Sequence, residues 1–259
     1  IRRHEKSHFL QSYAWGEFCR RAKGQVPNYV GMVDDNGNLV ATALILLRKT
    51  PLGYSYGYAP RGFIIDYNNK ELIKEFTDYL KGYMKEKKII YIKFDPDIPY
   101  QDIDSEANPI EGGNNNYELY NYMLSLGYHH TGFYRVYEGN QPRYTFRINL
   151  KREWQEVENA MSKSFIKSVK RSDTYNLKID NEERIEDFYR LVQSNSAKDD
   201  FDPHTLKYYQ IFTEELKKEG AVKYFNVSIK PKELVKNINE EIKQINSELQ
   251  KNLLLLRKE

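Results

Sequence analysis

Ile89-Ile90-Tyr91-Ile92-Lys93-Phe94-Asp95-Pro96-Asp97 runs from an apolar segment straight into a proline flanked by two carboxylates. The first six residues predict a strand. Asp95-Pro96 stops it, because proline supplies no ladder donor and restricts the residue before it. Asp95 is therefore expected at the carboxyl end of a strand, and in a sheet flanked by helices that edge is where ligands usually bind. Working backwards, Leu72, Ile73, Phe76, Leu80 and Tyr83 recur at helical spacing, and the helix is expected to end near Lys87-Lys88, where cations suit its C-terminus. Tyr54–Tyr58 alternates tyrosine with small residues until Pro60-Arg61-Gly62 breaks the pattern before Phe63-Ile64-Ile65-Asp66. Further back, Tyr29–Val33 and Leu39–Leu47 flank Asp34-Asp35-Asn36-Gly37-Asn38, whose Asn-Gly supplies the positive φ of a tight hairpin turn. Tyr13, Trp15 and Phe18 are spaced for a short amphipathic helix with Ser12 as its cap. Beyond the strand lie a polar loop over 100–116 and a helix Tyr117–Leu126 closed by Gly127. Residues 1–140 thus predict a hairpin-led mixed sheet with crossing helices, an α/β (α+β) arrangement.

After Gln141-Pro142-Arg143 the pattern restarts. A strand is expected at Tyr144–Ile148, helices at Trp154–Met161 and Lys163–Ser172, and a strand at Tyr175–Ile179. Helices at Glu183–Ala197 and His204–Glu219 then lead to a strand Val222–Ile229. Lys230-Pro231-Lys232 marks a change of composition, and beyond it Val235, Ile238, Ile242, Ile245, Leu249, Asn252 and Leu256 alternate in threes and fours. That seam predicts a coiled-coil helix of roughly 40 Å at about 1.5 Å per residue, with Asn252 available to fix register with a partner. The expected segments are 1–142, 143–230 and an arm over 231–259. The sequence reads as ending inside that arm, with the second domain short of its later strands.

Composition narrows the class. The 259 residues include 40% hydrophobic ones, with 22 Tyr and 12 Phe, enough to bury a core. The longest apolar run, Ala43–Leu47, is far short of the roughly 20 residues of a spanning helix. The first residue is Ile and no signal-peptide pattern follows, which reads as a trimmed N-terminus. A single cysteine, Cys19, forbids an internal disulfide and any cysteine zinc cluster, in keeping with a reducing cytosol. The five histidines show no metal spacing, so no metal is expected. The net charge of +3 hides a pattern: residues 1–23 carry +4, residues 143–178 carry +5, and the rest sums to −6. Two basic segments on an otherwise acidic chain predict a local anion site.

Five blocks carry a resemblance. Phe9-Leu10-Gln11-Ser12-x-x-Trp15-Gly16-Glu17, Pro60-Arg61-Gly62-Phe63-Ile64-Ile65-Asp66-Tyr67, Ile92-Lys93-Phe94-Asp95-Pro96-Asp97, Gln141-Pro142-Arg143 and the arm after Pro231 occur in this order along essentially the whole chain. The chain resembles the FemABX (Fem/Mur) peptidoglycan aminoacyltransferases. The resemblance implies two GNAT-like domains, the second incomplete in this chain, and a coiled-coil helical arm. It implies transfer of an amino acid from aminoacyl-tRNA to the lysine-like amine of lipid II or its UDP-MurNAc-pentapeptide precursor, building the interpeptide bridge. No cofactor and no DNA partner are implied, and the expected place is the cytoplasmic side of the membrane, with weak attraction of the basic segments to anionic headgroups. The chain departs from the family at Cys19, where a lysine is common; the phosphate contact expected there passes to Arg20 or is lost.

Asp95 is the expected catalytic residue, with Asp97 as fallback. An acceptor ammonium with a reference pKa near ~10.4 must lose a proton before it attacks an ester, and a carboxylate at the strand end can position the amine and receive or relay that proton. The bland alternative is an Asx-turn. Arg61, beside a glycine that admits close backbone approach, suits a phosphate or carboxylate, or else loop carbonyls. Lys163, Lys167, Lys170 and Arg171 share one helix face that can line a pyrophosphate or a tRNA acceptor stem, or simply stay solvated. The expected substrate contacts are Gln11, Trp15, Arg20, Arg61, Tyr91, Lys93 and Arg143; Trp15, Tyr56, Tyr58 and Tyr91 equally suit a core. Two rival functions stand beside this one. An acyl-CoA N-acetyltransferase is disfavoured because Arg21-x-x-Gly24-x-Val26 fails as a pyrophosphate loop, and a non-catalytic tRNA-binding or coiled-coil protein remains the other.

Overall fold

The computed structural model describes residues 7–133, 141–142, 144–146, 148–149, 151–173, 175 and 177–256. After a single 3-10 turn at Phe9–Gln11 come α1 (Tyr13–Lys23), β1 (Val26–Val33), β2 (Leu39–Lys49), β3 (Ser55–Ala59), β4 (Ile64–Ile65), α2 (Lys70–Glu86), β5 (Ile89–Phe94) and α3 (Tyr117–Ser125). The later elements are α4 (Trp154–Asn159), α5 (Lys163–Asp173), β6 (Lys178–Asp180), α6 (Ile185–Asp199), α7 (Leu206–Lys217), β7 (Asn226–Ser228) and α8 (Pro231–Leu256). The chain divides into two compact units, Ile1–Tyr144 with Ile185–Val222, and Thr145–Arg184 with Lys223–Glu259. This division does not follow the breaks expected at 142 and 230, because the helices of 185–222 pack with the first unit.

In the first unit the sheet order is β1-β2-β3-β5, with β4 also on β2. The hairpin β1–β2 turns at Gly37, φ +78°, a backbone conformation that glycine adopts without strain. Asp34 closes the turn by accepting from the Asn36 and Asn38 amides at 3.0 and 2.8 Å. β2 is the central strand: Ala41–Leu47 is buried without a break, since both faces of the sheet are covered. On one face Ala43, Ile45 and Leu47 pack with Ile73, Phe76 and Leu80 of α2, the apolar stripe predicted by spacing. On the other face Leu44 and Leu46 pack with Phe18 and Cys19 of α1 and Ile211 of α7. Ser12 caps α1, its hydroxyl accepting from the Trp15 amide, and Gly24 in the left-handed region ends it.

β3 runs antiparallel to β2, and β5 runs parallel to β3 with Tyr58 opposite Lys93 and Ala59 opposite Phe94. The crossover that a parallel pair requires is made by α2. Both strands therefore end side by side, Ala59 leading into Pro60-Arg61-Gly62 and Phe94 into Asp95.

In the second unit β6 and β7 form a separate antiparallel pair, Lys178 opposite Ser228. Each is three residues long, shorter than the expected Tyr175–Ile179 and Val222–Ile229; Ile179 and Val227 are exposed, so no core extends the pairing. The strand expected at Tyr144–Ile148 is not formed among the described residues: Tyr144, Phe146 and Ile148 are all exposed, so their alternation has no buried face to serve. α8 is one helix of 26 residues on which Val235, Ile242, Ile245 and Leu249 stay exposed.

Candidate functional site

Asp95 is half-buried at the end of β5. Its Oδ2 accepts from the Tyr58 hydroxyl at 2.9 Å, and its Oδ1 accepts from the Arg61 amide at 2.8 Å. The carboxylate thus reaches across to β3 and the loop after it, rather than closing an Asx-turn on its own next residues. A carboxylate offers roughly four acceptor positions, so these two bonds leave about two for an ammonium or hydroxyl donor. Arg61 holds φ +51°, uncommon for a residue with a Cβ, and this turns its N–H toward Asp95. The Arg61 guanidinium donates to the Pro142 carbonyl at 3.2 Å, so its side chain braces a loop.

The loop is held from beneath as well. Between Leu46, the last β2 residue paired with β3, and Thr42, where pairing with β4 begins, the edge of β2 has no strand beside it. The carboxamide of Gln11 fills that gap. Its Oε1 accepts from the Leu44 amide at 2.8 Å, and its Nε2 donates to the Leu44 carbonyl at 3.3 Å and the Pro60 carbonyl at 2.7 Å. Gln11 is 0% exposed. The expectation that it touches substrate is corrected here, because its polar atoms are spent on backbone groups that burial would otherwise leave unpaired.

Trp15 also sits within the fold. Its ring meets Phe9 edge-on and packs near Phe18 and Phe212, with the Lys23 ammonium 5.1 Å from its centre. Its Nε1 is buried without a hydrogen-bond partner. Arg20 is exposed and its guanidinium engages Glu17 at 2.9 and 2.6 Å within α1. Cys19 is buried, which pushes its thiol up to about 11 despite nearby Lys23 and Arg48. Tyr91 is exposed and stacks on Tyr56, ring centres 5.6 Å apart. Lys93 is half-buried beside Tyr58 on the same sheet, and Asp97 is half-buried after Pro96.

Asp95, Arg61 and Tyr58 are thus brought together, with Lys93 beside Tyr58. Tyr58 as an Asp95 partner was not legible in the sequence, since it depends on the parallel pairing of β3 with β5. Lys163, Lys167, Lys170 and Arg171 are exposed along α5 in the second unit, Arg171 lying 5.9 Å from the Tyr175 ring. Arg143 lies outside the described residues. Among the described residues no three His, Cys, Asp or Glu side chains gather as a metal site would require, and no helix is long and apolar enough to cross a membrane.

The structure resembles a crystal structure of FemX with a TM-score of 0.76, at 24% identity, over 96% of this chain and 60% of that one. "Aminoacyltransferase FemA" of Staphylococcus aureus (strain MRSA252) is 28% identical over 95% of this chain and 59% of its own length. "Lipid II:glycine glycyltransferase" of Staphylococcus aureus is 24% identical over 97% of this chain and 57% of its own. The chain therefore spans somewhat under three fifths of the length of these curated relatives. The model of the FemAB family matches residues 1–259. With that match over its whole length, the chain belongs to the FemAB family.

Proposed function

We propose that the protein carrying this chain transfers an aminoacyl group from aminoacyl-tRNA to the side-chain amine of a peptidoglycan precursor, lipid II or UDP-MurNAc-pentapeptide, with Asp95 handling the amine. Membership of the FemAB family and the names of the two staphylococcal relatives support the reaction class. The observation that carries the reading is Asp95 itself, a carboxylate at the joint end of two parallel strands with acceptor capacity to spare.

In this reading the acceptor ammonium binds the open side of Asp95 and gives up a proton to the carboxylate. The amine then attacks the ester carbonyl, a C–N bond forms, and the C–O bond to the tRNA ribose breaks. The attack leaves the nitrogen with a surplus proton, which passes to the departing ribose oxygen, while the proton first taken by Asp95 is released to solvent, so the carboxylate returns to its starting state. The ester is already activated, so a modest base serves. The finer architecture belongs to the same proposal: GNAT-like domains, and α8 as a helix of a coiled-coil arm. The basic face of α5 is assigned to phosphate or tRNA, and the working place to the cytoplasmic membrane face.

Asp95→Asn tests the reading cleanly, because asparagine can accept from Arg61 through its oxygen and donate to the Tyr58 hydroxyl through its amide. In the intact protein, transfer from labelled aminoacyl-tRNA should fall by about 100-fold or more with the melting temperature unchanged. Undiminished turnover would remove Asp95 from the chemistry.

A further inference from the structure

One peptide unit, Pro60–Arg61, joins Gln11 to Asp95. Its carbonyl accepts from Gln11 Nε2 at 2.7 Å, and its N–H, pointing the opposite way, donates to Asp95 Oδ1 at 2.8 Å. Gly62 closes the same contact: a Cβ built there would lie 2.9 Å from Gln11 Nε2 and 3.0 Å from its Cδ, so the loop rests directly on the carboxamide. We propose that Gln11 is a positioning residue for Asp95, acting through this single peptide plane. The inference rests on the catalytic reading of Asp95 given above.

The physical case has two parts. First, Arg61 sits at φ +51° in a turn that the Gly62 amide closes on the Ala59 carbonyl at 3.2 Å; the central peptide of such a turn can flip without breaking that bond, so the groups on either side of it, Gln11 and Asp95, set its orientation. Gln11 is suited to it because the Leu44 amide and carbonyl anchor its own carboxamide, leaving it no freedom to turn away. Second, a donor on the carbonyl side polarises the peptide and strengthens the N–H on the far side, so the hold on Asp95 depends on Gln11 electrically as well as sterically. A peptide rotated by half a turn would aim a carbonyl oxygen at the carboxylate instead.

Two substitutions separate this role from simple packing. Gln11→Glu preserves shape and the acceptor for the Leu44 amide, and, assayed at a pH high enough to ionise its buried carboxyl, sets an oxygen against the Pro60 carbonyl. Gly62→Ala changes no hydrogen-bonding group and pushes the carboxamide off the loop. Steady-state transfer is measured for each, in the intact protein, alone and combined with Asp95→Asn, together with thermal melting. We expect kcat to fall about tenfold with the KM of the amine acceptor within about twofold of wild type. In the Asp95→Asn background the same substitutions should cost less than about twofold, because residues acting through one group are not additive. If Gln11→Glu does not fold, Gly62→Ala carries the test. Wild-type kcat in a folded variant, or equal losses in both backgrounds, would overturn the role of Gln11. Full turnover by Asp95→Asn alone would instead overturn the reading of Asp95, and the two failures are told apart by that single variant.

Discussion

Glu215 shows how much a side chain can owe to distant parts of the chain. Only 4% of it is exposed, and it accepts from Arg21 of α1 and, at 2.8 Å, from Lys218. Burial pushes its carboxyl up, and the hydrogen bonds from Lys218 and Arg21 more than offset this, so it ionises below the ordinary glutamate range. A carboxyl depressed in the folded state stabilises fully above its unfolded value and loses that contribution as pH falls through the folded one. Glu215→Gln should therefore lower the melting temperature by several degrees near neutral pH. The gap from wild type should narrow in melts below about pH 4, and a gap that stays constant down to acid would show that charge is not the cause. No local pattern marks Glu215, because Arg21 lies 194 residues away. The place of Asp95 at the end of β5 was legible because proline punctuates locally. The place of Gln11 was not legible for the converse reason: a short motif does not reveal whether its polar residue faces a ligand or a gap in the backbone ladder.

At the scale of elements, the packing of α1 on α7 is what completes the second face of the sheet. Phe18 is 0% exposed and meets Phe212 and Tyr208 edge-on at 5.2 and 5.1 Å. Phe18→Ala should destabilise the protein by about 3–5 kcal/mol, the usual range for truncating a buried aromatic ring. Denaturant unfolding measures this, and limited proteolysis should show 185–222 cut first. An unchanged midpoint would mean that α7 docks without this ring. Helix positions were legible to within about two residues at most ends, as was the hairpin, because helical stripes and Asn-Gly are properties of adjacent residues. The strands of the second half were overextended. A period of two predicts exposure on alternate sides but not whether a partner edge or core is present, and β6 and β7 have only each other.

Over the whole molecule, positive charge is concentrated in two segments. The segment 143–178 holds +5, and Lys163, Lys167 and Lys170 lie exposed along α5. Reversing those three charges in the intact protein should weaken tRNA binding and reduce the slope of log affinity against log salt by roughly 0.7–0.9 for each phosphate no longer neutralised. Filter binding across a salt series reads this directly, and a wild type indifferent to salt would end the assignment. Neither the split of the chain into its two units nor the return of 185–222 to the first was legible, since both depend on contacts between remote segments. That return has a consequence for synthesis. A ribosome delivers α1 and β2 early, yet Ile211 and Phe212 emerge well over 150 residues later. In the interval the nascent chain carries an oily, uncovered flank, so chaperone shelter matters most then. A premature stop between 145 and 184 would leave that flank bare for good.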